Sequence, residues 1–536
     1  MRRSLLALLV VAVCPSSAAA APVLVLGPHG HVSSRNDPFL SGPALTPAPA
    51  PGARTSFAGV RPGVHSGVRP GVRSGVRPGV RPALARAAGG NGGAAPDRGS
   101  QRAGRGKARP NAKARKRPRR AAVTVPGVLA RLQRTGAIGQ AAYRSYRASW
   151  YAALNAERRL SGSRKTELGA VTENVHAIAV ANQLTASRLP ALFATVDRNR
   201  QWWTTGPLLS YGQRVEFAGS QLVWQFYPGQ GIQLQVLGTF GKANGLYTAG
   251  AADYPQLLAL LSQMIPLAAK RGGSLTWEYY FKFDGGSPPW TSAMSQATGI
   301  DSLTRAYQAT KNPYYLQLAG RALPIFSVAP PVGVNVRTPR GIRFLQYSFA
   351  RRTSIINAFL QTLIGLHDYA TVSGDPRAEQ LFAAGDREAQ WELPGFDTGA
   401  WSLYQPGVED SLSYHQLVTG FLQQLCKMTA TPLYCSTASH FQTYEVTAPT
   451  LAQLTLRGRT RKVTNLRFRL SKYSRVGIIV SQGSSTRFAT SADFPYGTQS
   501  FSVPALRQAG DYSLVLTARD LAGNFTRITG TLSISG

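Results

Sequence analysis

The sequence predicts a multidomain, mainly α-helical protein: an incomplete (α/α) toroid of helical hairpins with a short β-rich segment, followed by a C-terminal immunoglobulin-like β-sandwich. The toroid rests on successive amphipathic segments between residues 254 and 446 with short Gly- or Pro-bearing joints, which favour antiparallel neighbours. The sandwich rests on about seven short alternating runs with turn signals after residue 448. A ring of such hairpins would leave its loops lining a central cleft.

The first residues have the composition of an export signal. A basic MRR is followed by the apolar run SLLALLVVAV and by the small residues SSAAAA, which predicts a signal peptide over residues 1–21. The apolar run is about ten residues long, too short for a transmembrane helix. We therefore expect a secreted protein, extracellular or associated with the cell wall, with no transmembrane segment.

A basic, Pro- and Gly-rich stretch follows, and we predict that residues 22–124 are a disordered tail. Residues 59–82 repeat Gly-Val-Arg/His-Pro/Ser, and residues 105–120 (RGKARPNAKARKRPRR) are a run of like charge. Such sequences bury too little apolar area to offset the entropy lost on ordering. Residues 51–120 supply about half of the net charge of +36.

This charge suits an acidic polysaccharide or, through the tail, an anionic cell-wall polymer, and we expect no nucleic acid partner. A solvated tether with no partner is an equally good interpretation of the tail. The sequence leaves the oligomeric state open.

The folded part divides into three predicted regions. Residues 125–215 carry apolar side chains at helical spacing and predict an N-terminal helical region, residues 216–446 form the main helical domain, and residues 447–536 form the sandwich. Cys426 and Cys435 predict a disulfide with a stapling role, as expected outside the cytoplasm. No cluster of Cys or His indicates a metal site, so we expect no cofactor, although a divalent cation such as calcium stays open.

Several motifs of the main domain resemble the D-glucuronyl C5-epimerase family. They are WTSAMSQ, LTRAY and YLQLA between residues 290 and 319, INAFLQTLIGLHDY at residues 356–369, and LPGFDTG at residues 393–399. They follow one another in the family's order, and together with YPGQGIQLQVLGTFGKAN the resemblance covers about residues 220–445.

The resemblance implies epimerisation at carbon-5 of glucuronic acid within a heparosan-type polysaccharide, by removal of a proton and its return to the opposite face. It implies catalytic roles for Tyr347, Tyr404, Tyr414 and His415. The chain departs from the family pattern at four positions. Gln346 stands where the family has a Glu before the first of these tyrosines, Ser348 stands in place of a Pro, and Ala297 and Ala358 stand in place of Gly.

Two acid/base groups on opposite faces of the sugar are needed, and positioned groups of this kind contribute about 10²–10⁴ in rate. We expect Tyr347 and Tyr414 to be this pair and Tyr404 to be their hydrogen-bonding partner. His415 is a candidate base or a donor to the ring oxygen.

The developing negative charge needs a cation or strong donors. Arg343, Arg351 and Arg352 flank Tyr347, and we expect one of them to clamp the sugar carboxylate and to lower the pKa of a nearby tyrosine.

The remaining candidates bind sugar or replace a missing base. Asn357 and Gln346 are predicted to bind the sugar, although Asn357 is equally suited to a cap. Trp290 and Trp401 are candidates for stacking on the sugar, with burial in the core as an equal alternative. Glu278, Glu409 and Asp410 are reserve bases if Gln346 has emptied the usual position.

Two other functions fit the same residues. A uronate polysaccharide lyase would share the proton abstraction and then expel the carbon-4 substituent. A non-catalytic cell-wall or glycan-binding protein with a degenerate epimerase fold would explain Gln346.

Overall fold

The computed structural model describes residues 22–28, 30–40 and 122–536, and these are mainly helical up to residue 446 and β-stranded after it. The mostly helical fold and the β-rich C-terminal region are thereby confirmed. The predicted signal peptide and most of the predicted basic tail lie outside the described residues. No helix in the described ranges is both long and apolar enough to cross a membrane.

Twelve α-helices are present in the described residues. They are α1 (Val125–Arg134), α2 (Gln140–Arg159), α3 (Gly162–Val180), α4 (Leu189–Thr205), α5 (Val236–Ala249), α6 (Tyr254–Met264), α7 (Ala293–Thr310), α8 (Pro313–Ala322), α9 (Ile356–Ser373), α10 (Pro376–Glu392), α11 (Leu412–Thr429) and α12 (Pro432–Val446). From α5 onward they pair as hairpins, α5 with α6, α7 with α8, α9 with α10 and α11 with α12. The first helix of each hairpin also packs against the first helix of the next.

Local sequence explains where these helices begin and how closely they pack. Ser292 caps α7 by accepting the amide of Ser295, and Ser411 caps α11 by accepting the amide of Tyr414. In α9, a Cβ at Gly365 would lie 2.4 Å from the carbonyl oxygen of Ala297 in α7. The glycine therefore permits the close approach of α7 and α9, two helices in which most residues are buried.

The strands form several separate sheets. They are β1 (Pro22–Leu26), β2 (Val32–Asn36), β3 (Arg214–Phe217), β4 (Trp224–Tyr227), β5 (Gly231–Leu234), β6 (Ala269–Arg271), β7 (Ser274–Thr276), β8 (Asn335–Arg337), β9 (Ile342–Phe344), β10 (Leu403–Gln405), β11 (Val408–Glu409), β12 (Leu451–Gln453), β13 (Arg457–Arg459), β14 (Thr464–Leu470), β15 (Ser474–Gln482), β16 (Ser485–Phe494), β17 (Gly497–Val503), β18 (Gly510–Asp520) and β19 (Phe525–Ser535). One sheet has the order β2-β1-β3-β4-β5, and the pairs β6-β7, β8-β9 and β10-β11 are short hairpins within the helical region.

Strands β1 and β2 correct the prediction of disorder from residue 22 onward, which is wrong for residues 22–28 and 30–40. Strand β1 pairs in parallel with β3, and Val23 is fully buried. Asp37, next to β2, is also buried, 2.8 Å from the Nζ atom of Lys242. The sequence did not predict this hairpin for two reasons. It lies next to the tail of biased composition, and its partners lie far away in the sequence.

The C-terminal region contains two sheets, of order β12-β14-β17 and β13-β19-β18-β15-β16. Side chains alternate between buried and exposed along β14 and β15, as expected for strands with one face on a core. This region has a hydrophobic core of its own, to which Phe468, Ile478 and Leu514 belong. The immunoglobulin type of the sandwich stays a prediction.

Polar contacts join the C-terminal region to the helical region. Glu409 accepts the backbone amides of Tyr473 (2.8 Å) and Tyr496 (2.9 Å), which fixes the end of the β10–β11 hairpin. Glu409 was a reserve base on sequence grounds, and the structure gives its carboxylate a structural role. The predicted disulfide between Cys426 and Cys435 is confirmed and joins α11 to α12.

A buried carboxylate holds several loops of the helical region together. Glu278 accepts two hydrogen bonds from Arg188, at 2.6 and 2.8 Å, and one from Arg271, at 2.7 Å. Arg271 also donates to the carbonyl oxygens of Pro289, Pro331 and Val332. Glu278, another reserve base, is therefore a structural ion-pair centre.

Replacing Glu278 by Gln should lower the free energy of unfolding by about 3–5 kcal/mol, because two buried guanidinium groups lose their counter-charge. Chemical denaturation followed by circular dichroism measures the change. Glu379→Gln, at an exposed position of α10, is the matched control and should stay within about 0.5 kcal/mol of the wild type. Equal stability of the two variants would contradict the assigned role of Glu278.

Candidate active site

A cavity of about 40 Å³ lies where strand β4, the start of α5, the segment 279–292 before α7, the loop after β9, the start of α9, strand β10 and the start of α11 meet. Its lining consists of aromatic, amide and hydroxyl side chains, with one leucine: Tyr227, Gln235, Leu237, Tyr279, Phe281, Phe283, Trp290, Ser292, Gln346, Tyr347, Asn357, Tyr404 and Tyr414. This volume suits about one water molecule. Entry of a sugar ring therefore requires side chains at the cavity to move.

The three tyrosines that the sequence singled out line this cavity together. The rings of Tyr404 and Tyr414 meet edge to face with centroids 5.3 Å apart, and the side chains of Tyr347 and Tyr404 are hydrogen-bonded. Tyr347 stacks on Phe349 and meets the edge of Trp290. Phenol groups from two separate segments of the chain, at residue 347 and at residues 404–414, are thus brought to one place.

Two further tyrosines of the cavity were missed by sequence reasoning. The hydroxyl of Tyr227 accepts a hydrogen bond from Gln235 Nε2 at 2.8 Å, and that of Tyr279 lies 2.7 Å from Ser295 Oγ. Each of these two tyrosines lies in a sequence pattern that could have identified it. Tyr227 begins the YPGQG motif, and Tyr279 alternates with Phe281 and Phe283 in the run TWEYYFKF, so that all three share one face.

Burial sets the protonation of these phenols. It raises the pKa of Tyr347 well above the usual value of 10, and the neighbouring Tyr404 and Tyr414 raise it further. Burial also raises the pKa of Tyr279 to about 12. These phenols therefore keep their protons at neutral pH and are available as proton donors.

This result corrects the expectation that a flanking arginine lowers the pKa of a catalytic tyrosine. No arginine lines the cavity in the described part of the chain. Arg214 in β3, which is buried, is the cation that acts on the cluster, and it opposes the rise in the pKa of Tyr227.

The three predicted carboxylate clamps lie elsewhere. Arg343 is paired with Glu392 and lies 3.6 Å from Glu388, so its positive charge is compensated by these carboxylates. Arg343 and Arg352 line a neighbouring cavity, and Arg351 is exposed to solvent. The expected positions were wrong because ion pairing with α10 depends on tertiary packing that the local sequence does not encode.

The predicted sugar-binding amides do line the cavity of the tyrosines. Gln346 accepts a hydrogen bond from Ser292 Oγ at 3.2 Å through its Oε1 atom, which leaves its NH₂ group as a donor. Asn357 is 3% exposed, and its Oδ1 atom has no hydrogen-bond partner among the described residues. A buried acceptor without a partner is costly, so it is suited to receive a ligand hydroxyl.

Residues 271–443 match the family model of the D-glucuronyl C5-epimerase C-terminus. The family resemblance that the motifs predict is confirmed. The matched segment contains Tyr279, Trp290, Tyr347, Tyr404 and Tyr414, whereas the segment with Tyr227 and Gln235 precedes it.

The chain is also similar to individual proteins over parts of its length. The chain is 32% identical over 130 residues to a D-glucuronyl C5-epimerase of Caenorhabditis elegans, covering 22% of this chain and 21% of that protein. It is 28% identical over 137 residues to an uncharacterized protein of Methanocaldococcus jannaschii, covering 24% and 44%. The chain therefore spans less than half the length of either relative. The solved cellobiose 2-epimerase of Spirochaeta thermophila aligns over 52% of this chain and 72% of its own, with 13% identity and a TM-score of 0.30.

Two predicted residues of the epimerase-like segment do not line the cavity. His415 is fully buried between Trp401, with ring centroids 3.9 Å apart, and Phe441. Its Nε2 atom donates to the carbonyl oxygen of Phe441 at 2.9 Å, and its Nδ1 atom lies 2.7 Å from Ser402 Oγ. The structure thus corrects the catalytic role expected for His415 and the sugar-stacking role expected for Trp401, because both support the loop from within.

Ser402 joins His415 to a buried carboxyl group. Its hydroxyl donates to Asp410 Oδ2 at 2.6 Å, and Trp401 Nε1 donates to the carbonyl oxygen of Asp410. Burial raises the pKa of Asp410 from 3.8 to about 7 and lowers the pKa of His415 from 6.5 to about 4. Asp410, the third reserve base, lies between Tyr404 and Tyr414 in sequence but does not line the cavity. Its Oδ1 atom has no hydrogen-bond partner among the described residues.

Within the described residues, no group of three or more His, Cys, Asp or Glu side chains lies close enough together to hold a metal ion.

The pH dependence of stability should carry the signature of Asp410. A carboxyl group whose pKa is higher in the folded state stabilises the fold below its unfolded pKa, and this contribution is lost as the pH rises from about 3.8 to about 7. Relative to Asp410→Asn, the wild-type protein should lose at most about 1.4 kcal/mol of unfolding free energy per pH unit in this window. His415 has the opposite trend but is present in both proteins, so it cancels. A difference that is constant from pH 4 to pH 7, measured by denaturation, would contradict the shift.

Proposed function

We propose that the protein is a secreted carbohydrate epimerase that inverts carbon-5 of glucuronic acid units within an acidic polysaccharide of the heparosan type. One observation carries this proposal: Tyr347, Tyr404 and Tyr414 converge on one cavity, inside the segment that matches the C5-epimerase family model. We also infer that the hairpins from α5 to α12 form the predicted incomplete (α/α) toroid, which their successive packing supports.

The chemistry requires one base and one acid on opposite faces of the sugar. A phenolate removes the proton of carbon-5, and the electron pair of the broken C–H bond moves into the adjacent carboxylate. A phenol on the other face then donates its proton to carbon-5 and becomes the phenolate. Since burial raises the pKa of Tyr347, we assign it as the donor and Tyr414 as the base for one direction, with Tyr404 bonded to Tyr347.

The intermediate carries extra negative charge on the carboxylate, and donors aimed at it lower the barrier. The NH₂ group of Gln346 is such a donor, since its oxygen is held by Ser292. The departure from Glu at this position removes a base and supplies a hydrogen bond. Asn357, with its free acceptor atom, is suited to a sugar hydroxyl.

Secretion has independent support. The bond between Cys426 and Cys435 is typical of proteins that fold in oxidising compartments, and it agrees with the export signal read from residues 1–21.

Exchange with deuterated water separates this function from its two rivals. Incubation of the protein with heparosan should introduce deuterium at carbon-5 without shortening the chain. Cleavage with a new unsaturated end would indicate a lyase. Salt-sensitive retention of the polymer with neither exchange nor cleavage would indicate a glycan-binding protein.

Tyr414→Phe should keep its fold and lower the rate of deuterium exchange by about 10²–10⁴, because it removes one positioned acid/base group. Mass spectrometry of the polymer measures exchange, and circular dichroism verifies folding. Tyr151→Phe, at a residue that is 42% exposed on α2, is the matched control and should exchange at the wild-type rate. Wild-type exchange in Tyr414→Phe would reject the assigned role.

The exchange rate should rise about tenfold per pH unit between about pH 7 and pH 9, because a tyrosine with a pKa near 10 is rarely a phenolate at neutral pH. If His415 were the base, its pKa of about 4 would make the rate flat above about pH 5. Initial rates in buffers of constant ionic strength distinguish the two profiles.

A further inference from the structure

A second cavity, of about 560 Å³, lies beside the tyrosine cavity at strand β10. Tyr404 lines the small cavity and the adjacent residue Gln405 lines the large one, so the two cavities are neighbours that meet at this strand. The volume of the second cavity is in the usual range for ligand sites of about 300–1,000 Å³.

The second cavity presents an exposed aromatic ring. Trp391, in the last turn of α10, is 53% exposed, although tryptophan is usually well covered in a folded protein. The guanidinium group of Arg340 lies 4.2 Å from the centroid of its indole ring and holds the ring in place. A fixed, exposed aromatic plane suits the apolar face of a sugar ring.

The charges around Trp391 suit an anion. Glu392 is compensated by Arg343 and by the hydroxyl of Ser354 at 2.6 Å, so its carboxylate is held inside the fold. Arg352 is exposed and has no ion pair among the described residues.

We infer that the second cavity binds another uronic acid unit of the same acidic polysaccharide chain whose reacting unit lies at the tyrosines. Trp391 stacks on the sugar ring, and Arg352 binds its carboxylate through its two-pronged guanidinium group. This inference rests on the proposed function only for the identity of the polymer. The cavity is a binding site and takes no part in the proton transfer.

A different large cavity provides the internal comparison. It has a volume of about 800 Å³ and is lined by Lys270 and Arg321, among others, but it has no exposed tryptophan and is lined by none of the residues of the tyrosine cavity. Arg321→Ala therefore removes a positive charge from a cavity of similar character without touching the inferred site.

The test measures binding of heparosan disaccharide and octasaccharide by titration calorimetry, without turnover. The wild-type protein should bind the octasaccharide more tightly than the disaccharide. In Trp391→Ala and Arg352→Ala, the ratio of octasaccharide affinity to disaccharide affinity should fall about tenfold or more, as expected for the loss of a contact to a charged group. Both side chains are exposed, so the fold should persist, and circular dichroism verifies it. Arg321→Ala should bind as the wild type does.

Each further result decides the inference. Arg352→Lys should restore part of the affinity, since it keeps the charge and loses the paired hydrogen bonds. Octasaccharide affinity that is unchanged in both alanine variants, or that falls equally in Arg321→Ala, would overturn it. Equal affinity for an uncharged octasaccharide would overturn the recognition of the acid. The proposed function is decided separately, because Tyr414→Phe should lose exchange and keep octasaccharide binding.

Discussion

The buried carboxylate of Glu278 is the interaction on which the candidate site depends. Two arginines approach it from different parts of the chain, Arg188 from just before α4 and Arg271 from β6. Through its remaining donors, Arg271 also ties the loops at residues 289 and 331–332. Tyr279, which lines the tyrosine cavity, follows Glu278 directly in sequence. The ion pairs of Glu278 therefore fix the backbone position of this part of the cavity wall. Such a satisfied polar network defines a geometry more than it adds stability.

The sequence and the structure agree best where a site residue lies in a local motif. Tyr347, Tyr404, Tyr414, Gln346 and Asn357 line one cavity, and each was found from residues within a few positions of it. Such motifs encode local backbone geometry together with the side chain that it presents.

The predictions that were wrong concern residues whose surroundings are formed by partners distant in sequence. Arg343 is neutralised by α10, and His415 is enclosed by Trp401 and Phe441, which no spacing in the chain reveals. The hairpin of β1 and β2 was missed for the same reason, since its partner strand β3 lies near residue 214.

The lining of the tyrosine cavity differs in charge from the chain as a whole. The protein is strongly basic, yet phenols, amides and apolar rings line this cavity, so the proposed attraction of an acidic polymer and the proposed proton transfer belong to different surfaces.

The N-terminal hairpin has one more consequence. Backbone pairing with β3 and the contact of Asp37 with Lys242 hold residues 22–40 against the body, independently of the peptide link through residues 41–121. A protease that cuts this link once would release no fragment. The product would be a nicked, two-polypeptide molecule whose short chain stays bound as the interior strand of a sheet, and only denaturation would reveal that the backbone had been broken.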